Sequence, residues 1–173
     1  EYAINMSDAV TAVSENLKKE TLEHFNITNE IKTIPNFIDM SMYQQEADKQ
    51  LRKNIAKEDE FILTHISNFR KVKRVEDVIK IFEKVNKEKS SKLLMIGDGP
   101  ERLKAEDLCR KLGVSKNVKF LGKLKVIEKM LAISDVFILP SETESFGLVA
   151  LEAMASKTAI ISTNSGGLNE VNI

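Results

Sequence analysis

Five short apolar runs constrain this chain more than anything else in it: Phe61–Ile66, Leu93–Ile96, Val118–Leu121, Val136–Leu139 and Ala159–Ser162. Each is rich in Ile, Val, Leu or Phe and too short for a helix, which is the mark of a strand buried on both faces. Between them the apolar period changes. Val75, Val78, Ile79, Phe82 and Val85 recur at helical spacing. Further helices are expected from about Pro100, a residue tolerated in a first turn, to Leu112, near Ile127 to Ala132, and from Leu148 to Ala155. Strands alternating with helices predict an α/β fold with a doubly wound parallel sheet and helices on both faces. In such sheets ligands gather at the carboxyl ends of the strands, so the segment following each run is where chemistry should be sought.

Composition removes several function classes. With 42% hydrophobic and 30% charged residues, the 173-residue chain has ordinary globular composition, and nothing suggests disorder. Lys and Arg total 26 against 26 Asp and Glu, so no basic excess points to nucleic acid or another polyanion. A single cysteine, Cys109, cannot form an internal disulfide. No neighbouring His or Cys gives it metal-ligand spacing, so no metal is expected and a reducing, cytoplasmic setting is. No apolar run is long enough to span a bilayer. Homo-oligomerisation stays open. His24 and His65 read as a surface and a strand residue, and Cys109 as packing.

The first sixty residues form a different passage. Ala9–Val13 reads as a short strand, and Ser14 or Asn16 can cap a helix reaching about Phe25. Ile31–Ile34 reads as a second strand stopped by Pro35, with Asn36–Asp39 as a turn. Residues 44–59 are polar, with a short exposed helix expected over Ala47–Ile55 and no assignable chemistry.

Four segments fall at strand carboxyl ends. After Asp135–Pro140 comes Ser141-Glu142-Thr143-Glu144-Ser145-Phe146-Gly147-Leu148, opening the helix that carries Glu152. The backbone N–H groups around Ser145, Phe146, Gly147 and Leu148 can hold an anion. A carboxylate is a poor phosphate ligand but a good acceptor for hydroxyls. Glu144 and Glu152 together therefore suggest a ligand bearing both phosphate and hydroxyl groups, such as a nucleotide sugar. The plainer reading makes Glu144 an electrostatic cap and Glu152 a solvated side chain. Ser67–Arg74 offers Arg70 and Lys73, a planar fork and a point charge suited to a diphosphate. Lys71 and Arg74 fit a solvated loop. Gly97-Asp98-Gly99-Pro100-Glu101-Arg102 departs from a dinucleotide fingerprint at Arg102, where close helix packing requires glycine, and this argues against a nicotinamide enzyme. Gly122-Lys123 and Ser165-Gly166-Gly167-Leu168-Asn169-Glu170 complete the set.

Glu144-Ser145-Phe146-Gly147-Leu148-Val149 with Glu152 resembles the E-x7-E element of the retaining GT-B glycosyltransferases. The resemblance implies a Rossmann-like C-terminal nucleotide-sugar domain, incomplete here over residues 34–173, with residues 1–33 as the tail of an N-terminal domain and its linker. It also implies roles. The residue at Glu144 holds sugar hydroxyls and that at Glu152 the ribose; Lys73 and Arg70 neutralise the departing diphosphate. Gly122 and Lys123 meet the base through the backbone. Gly97 and Gly99 read first as plain turn glycines, with proximity of Gly97 to the ligand the alternative. Arg70 sits closer to Lys73 than the usual family spacing, and Asn169 stands where the family's Gly-Gly-x-Pro-Glu has proline. Ser67–Val75, Leu94–Glu101 and Glu144–Ala155 are most similar to the bacillithiol branch of the family, which implies transfer of GlcNAc from UDP to the hydroxyl of L-malate, with retention and without a metal. The expected partners are thus a UDP-sugar and a small-molecule acceptor. A nonenzymatic nucleotide-binding module on the same fold is the competing reading, and another donor or acceptor also stays open.

Overall fold

The computed structural model describes residues 1–172; Ile173, the last residue of the expected second unit, lies outside the described residues. After a single turn, α1 (Tyr2–Asn5), the strands β1 (Val10–Ala12) and β2 (Ile31–Thr33) pair in parallel with Val10 opposite Ile31. The helix α2 (Glu15–His24) connects them, and the Ser14 hydroxyl accepts the Leu17 N–H to cap it. Two short helices follow, α3 (Met40–Tyr43) and α4 (Lys49–Ile55). Then the main alternation begins: β3 (Phe61–Ser67), α5 (Val75–Glu88), β4 (Ser91–Gly97), α6 (Arg102–Lys111), β5 (Val118–Gly122), α7 (Glu128–Ala132), β6 (Val136–Leu139), α8 (Leu148–Ala155), β7 (Ala159–Ser162) and α9 (Leu168–Val171).

The five strands lie in the order β5-β4-β3-β6-β7, every neighbour parallel, as the alternation of apolar runs and helices requires. Strand periodicity splits the core in two. Leu63, Leu93 and Met95 face α5 and α6 with Val78, Ile79, Phe82 and Cys109. Ile62, Leu94 and Ile96 face the other way, onto Ala56 and Ile133. Phe137 and Leu139 continue that second layer against Ala150 and Ala153 of α8. Alanine on this face lets α8 lie close to the sheet.

Two expectations need correction. The helix expected over Ala47–Ile55 starts at Lys49, capped by the Asp48 carboxylate, and is not merely exposed: Leu51 and Ile55 pack on the Ile62 layer. Nor is the segment without a task, because Arg52 donates to the Ile133 and Glu60 carbonyls and to Asp135, whose carboxylate also takes the Ile62 N–H. The second correction concerns α6, which opens at Arg102 rather than Pro100, with Glu101 as its N-cap and the Glu101 N–H donating to the Phe69 carbonyl at 2.9 Å.

Topology singles out one candidate place for a ligand. The chain runs β3 to β4 to β5 in one direction, then returns to place β6 on the other side of β3. The crevice at this reversal, outside the carboxyl ends of β3 and β6, is the switch point at which doubly wound sheets hold ligands.

Candidate functional site

Two loops border that crevice. One follows β3 and spans 68–74; the other follows β6 and spans 140–147. The Glu142 N–H donates to the Val72 carbonyl at 2.8 Å, tying the loops together. Beside this bond the Lys73 ammonium donates to Glu144 Oε1 at 2.5 Å. The fully buried Ser141 hydroxyl donates to the same oxygen at 2.8 Å. Lys73 and Glu144 keep only 18% and 12% of their side chains exposed, so this pair sits in the crevice rather than in bulk solvent. The two residues expected to meet diphosphate and sugar are thus neighbours. Arg70, one turn before Lys73, stays exposed at the lip.

The opening of α8 supplies the second half of the site. Gly147 adopts φ +92°, a conformation natural only to glycine, and turns the chain directly into the helix. No side chain caps this terminus. Among the described residues no protein acceptor takes the N–H groups of Phe146, Gly147, Leu148 or Val149, which leaves a cluster of donors at the positive end of the helix. Phe146 is buried beneath them, whereas Ser145 and Leu148 are exposed. The fifth residue of α8, Glu152, is half-buried and accepts the Tyr43 hydroxyl at 2.9 Å. Burial raises the Glu152 carboxyl above its ordinary range, opposed by the Tyr43 hydrogen bond and reinforced by Glu128. Burial and the hydrogen bond to Glu152 push the Tyr43 hydroxyl in turn to about 12. Sequence reasoning missed Tyr43.

Close backbone packing explains the glycines. A Cβ on Gly97 would stand 1.8 Å from the Ser67 carbonyl oxygen, and one on Gly99 1.9 Å from that of Asn68. The β4 turn is therefore pressed against the β3 loop, and Gly97 supports the site from below. In the same way Gly166 and Gly167 lie against the backbone of Glu144 and Ser145, and the Gly167 N–H donates to the Glu144 carbonyl at 2.7 Å. The segment with Asn169 in place of proline still reaches the crevice. Gly122 turns at φ +67° near the Arg102 guanidinium, which lies over the Phe120 ring at 5.8 Å, and Lys123 points to solvent.

The region before β3 also reaches the site. The Ser14 hydroxyl donates to the Ser145 carbonyl at 2.6 Å, and the Glu170 carboxylate takes the N–H groups of Glu15 and Asn16 at the start of α2. No signal in the sequence pairs residues so far apart.

The parallel sheet that carries these groups has counterparts among known proteins. The family model for group 1 glycosyl transferases matches residues 46–173. The chain belongs to the group 1 glycosyltransferases. It is 47% identical to N-acetyl-alpha-D-glucosaminyl L-malate synthase of Bacillus anthracis over 171 residues, which is 98% of this chain and 45% of that protein. Among solved structures, Anabaena HepE in complex with UDP and glucose superposes with a TM-score of 0.88 at 22% identity, over 98% of this chain and 48% of that one. Staphylococcus aureus TarM, solved with fondaparinux, alpha-GlcNAc-glycerol and UDP, gives 0.78 at 25% identity, over 96% and 32%. These structural neighbours are GT-B glycosyltransferases. The chain spans less than half the length of these relatives. No helix among the described residues is long and apolar enough to cross a membrane.

Proposed function

We propose that this chain binds a UDP-sugar and forms the donor side of a retaining transferase that moves N-acetylglucosamine from UDP to the hydroxyl of L-malate. The observation that carries the reading is the set of unpaired amides at the opening of α8, flanked by the Lys73–Glu144 pair and by Glu152. A diphosphate accepts from those amides. Lys73, shifting from Glu144, and Arg70, closing from the lip, stabilise the charge that grows on UDP as the glycosidic bond lengthens. Glu144, relieved of Lys73, accepts sugar hydroxyls, and Glu152 accepts the ribose. The acceptor hydroxyl then attacks from the face that UDP leaves and gives its proton to the departing phosphate oxygen, so retention follows without an enzymatic nucleophile and Glu144 acts as a positioning group. No metal enters this scheme. The choice of GlcNAc and malate rests on the 47% identity to the Bacillus anthracis enzyme. Residues 34–173 act as the nucleotide-sugar domain and residues 1–33 as the link to an acceptor domain.

Titration calorimetry with UDP, UDP-GlcNAc, NADH and ATP tests the reading. UDP and UDP-GlcNAc should bind and the other two should not. Binding of NADH or ATP as tight as that of UDP would replace the proposal with a general nucleotide-binding module.

A further inference from the structure

His65 has no role in the scheme above, yet it is fully buried at the edge of the crevice with both ring nitrogens bonded. Its position follows from the sheet. The β3–β6 ladder pairs Leu63 with Val136 and Thr64 with Phe137 and then stops, so the strands diverge where the switch point opens. One residue beyond, His65 Nδ1 lies 2.9 Å from the Ile138 carbonyl, and the imidazole spans the gap that the ladder leaves. A carbonyl only accepts, so Nδ1 carries the proton. In the neutral ring Nε2 must then accept, and it takes the Ser67 hydroxyl at 2.8 Å. The Ser67 oxygen in turn accepts the Phe69 N–H at 3.2 Å.

The end of this chain of bonds is a strained residue. Phe69 holds φ +42°, unfavourable for an aromatic side chain, while its ring is fully buried between His65 and Phe120. Its carbonyl accepts the Glu101 N–H, and the next residues form the tight turn that presents Arg70 and Lys73. Such a conformation persists only where surrounding bonds over-determine it. Burial first, and the charge of Lys73 after it, pull the imidazole down to about 4, against the Ile138 bond and the charge of Glu144. The ring is therefore neutral near pH 7, and the direction of the relay is fixed.

We propose that His65 is a positioning residue: acting through Ser67 and the Phe69 amide, it sets the loop that brings Arg70 and Lys73 to the donor's diphosphate. The diphosphate part rests on the donor reading above. The loop part does not.

Two substitutions cut the relay at the same link. Ser67→Ala removes the hydroxyl at little cost in volume, and His65→Asn can keep a donor toward Ile138 while losing the acceptor for Ser67. Amide hydrogen exchange over residues 68–74 and calorimetry with UDP and with uridine read the result. Both variants should speed exchange in this loop and weaken UDP roughly three- to tenfold, as loss of one hydrogen bond implies, with uridine unchanged. Because they break one chain, the double variant should lose no more than the weaker single. Wild-type exchange in Ser67→Ala, or equal losses for UDP and uridine, would overturn the proposal and leave His65 as a core residue. Should the wild-type chain fail to bind UDP, the donor reading falls, and the exchange data alone still decide whether the relay sets the loop.

Discussion

Lys73 and Glu144 are each other's nearest partner, so neither can be replaced without exposing what the other does. Lys73→Ala removes the group proposed to meet phosphate and leaves Glu144 with the Ser141 hydroxyl alone. UDP should weaken by about 1.5–3 kcal/mol, the worth of a charge-assisted hydrogen bond, while uridine should hardly change; calorimetry that finds equal small losses for both would make the pair a solvated charge cluster. His65 gives the pH dependence. Its pKa is near 4 in the folded chain and 6.5 as the unperturbed value, so between these values the unfolded chain carries the extra proton. Its contribution is therefore full above about pH 6.5 and is lost as the pH falls toward 4, on the order of 3 kcal/mol for a wholly buried imidazole. Urea midpoints at pH 7 and pH 4.5 should separate more for the wild type than for His65→Asn. At this scale the sequence was partly legible: Lys73 and Glu144 stand out because each lies in a loop that follows a strand's carboxyl end, and Glu152 because it sits on the helix that the second loop opens. Tyr43 was not legible, because a four-residue helix carries no periodicity and its partner Glu152 is 109 residues away.

Elements were more readable than contacts. Runs such as Leu93–Ile96 must be strands because both of their faces are covered, and the period is plainly helical in α5, the element just before this run. What the pattern could not show is how closely the connecting turns approach one another. Gly97 and Gly113 separate these effects, since both have positive φ, at +122° and +73°, but only Gly97 faces backbone, with Gly113 open to space. Gly113→Ala should cost about 1–2 kcal/mol, the penalty of a left-handed alanine. Gly97→Ala should cost more, roughly 3 kcal/mol or above, because its Cβ would displace the Ser67 carbonyl and with it the loop that bears Lys73. Chemical denaturation measures both, and equal losses would show that the β4 turn yields without disturbing the β3 loop.

Over the whole molecule, residues 1–33 form their own two-stranded sheet, yet reach the crevice through Ser14 and receive Glu170 at α2. The proposed donor site lies on the five-stranded sheet, so UDP at millimolar concentration should raise the melting temperature of this chain. Transfer is a harder demand. L-malate presents two carboxylates, which call for convergent cations or N–H donors not already committed. The proposed function already assigns Arg70 and Lys73 to the diphosphate. The adjoining groove of about 410 Å³ sets Lys71, Arg74, Lys80 and Lys104 among Glu76, Asp77, Glu101 and Glu142, so its cations are balanced by as many carboxylates. Such a groove repels a dianion as much as it attracts one. Water must also be kept from the reacting sugar, and a crevice open on one side does not do this. The 173-residue chain should therefore bind UDP-GlcNAc but form no GlcNAc-malate, beside a full-length relative as positive control. Product from this chain at a rate comparable to the control would mean that the acceptor site lies within these residues, and that the groove beside Lys71 must be reconsidered as its place.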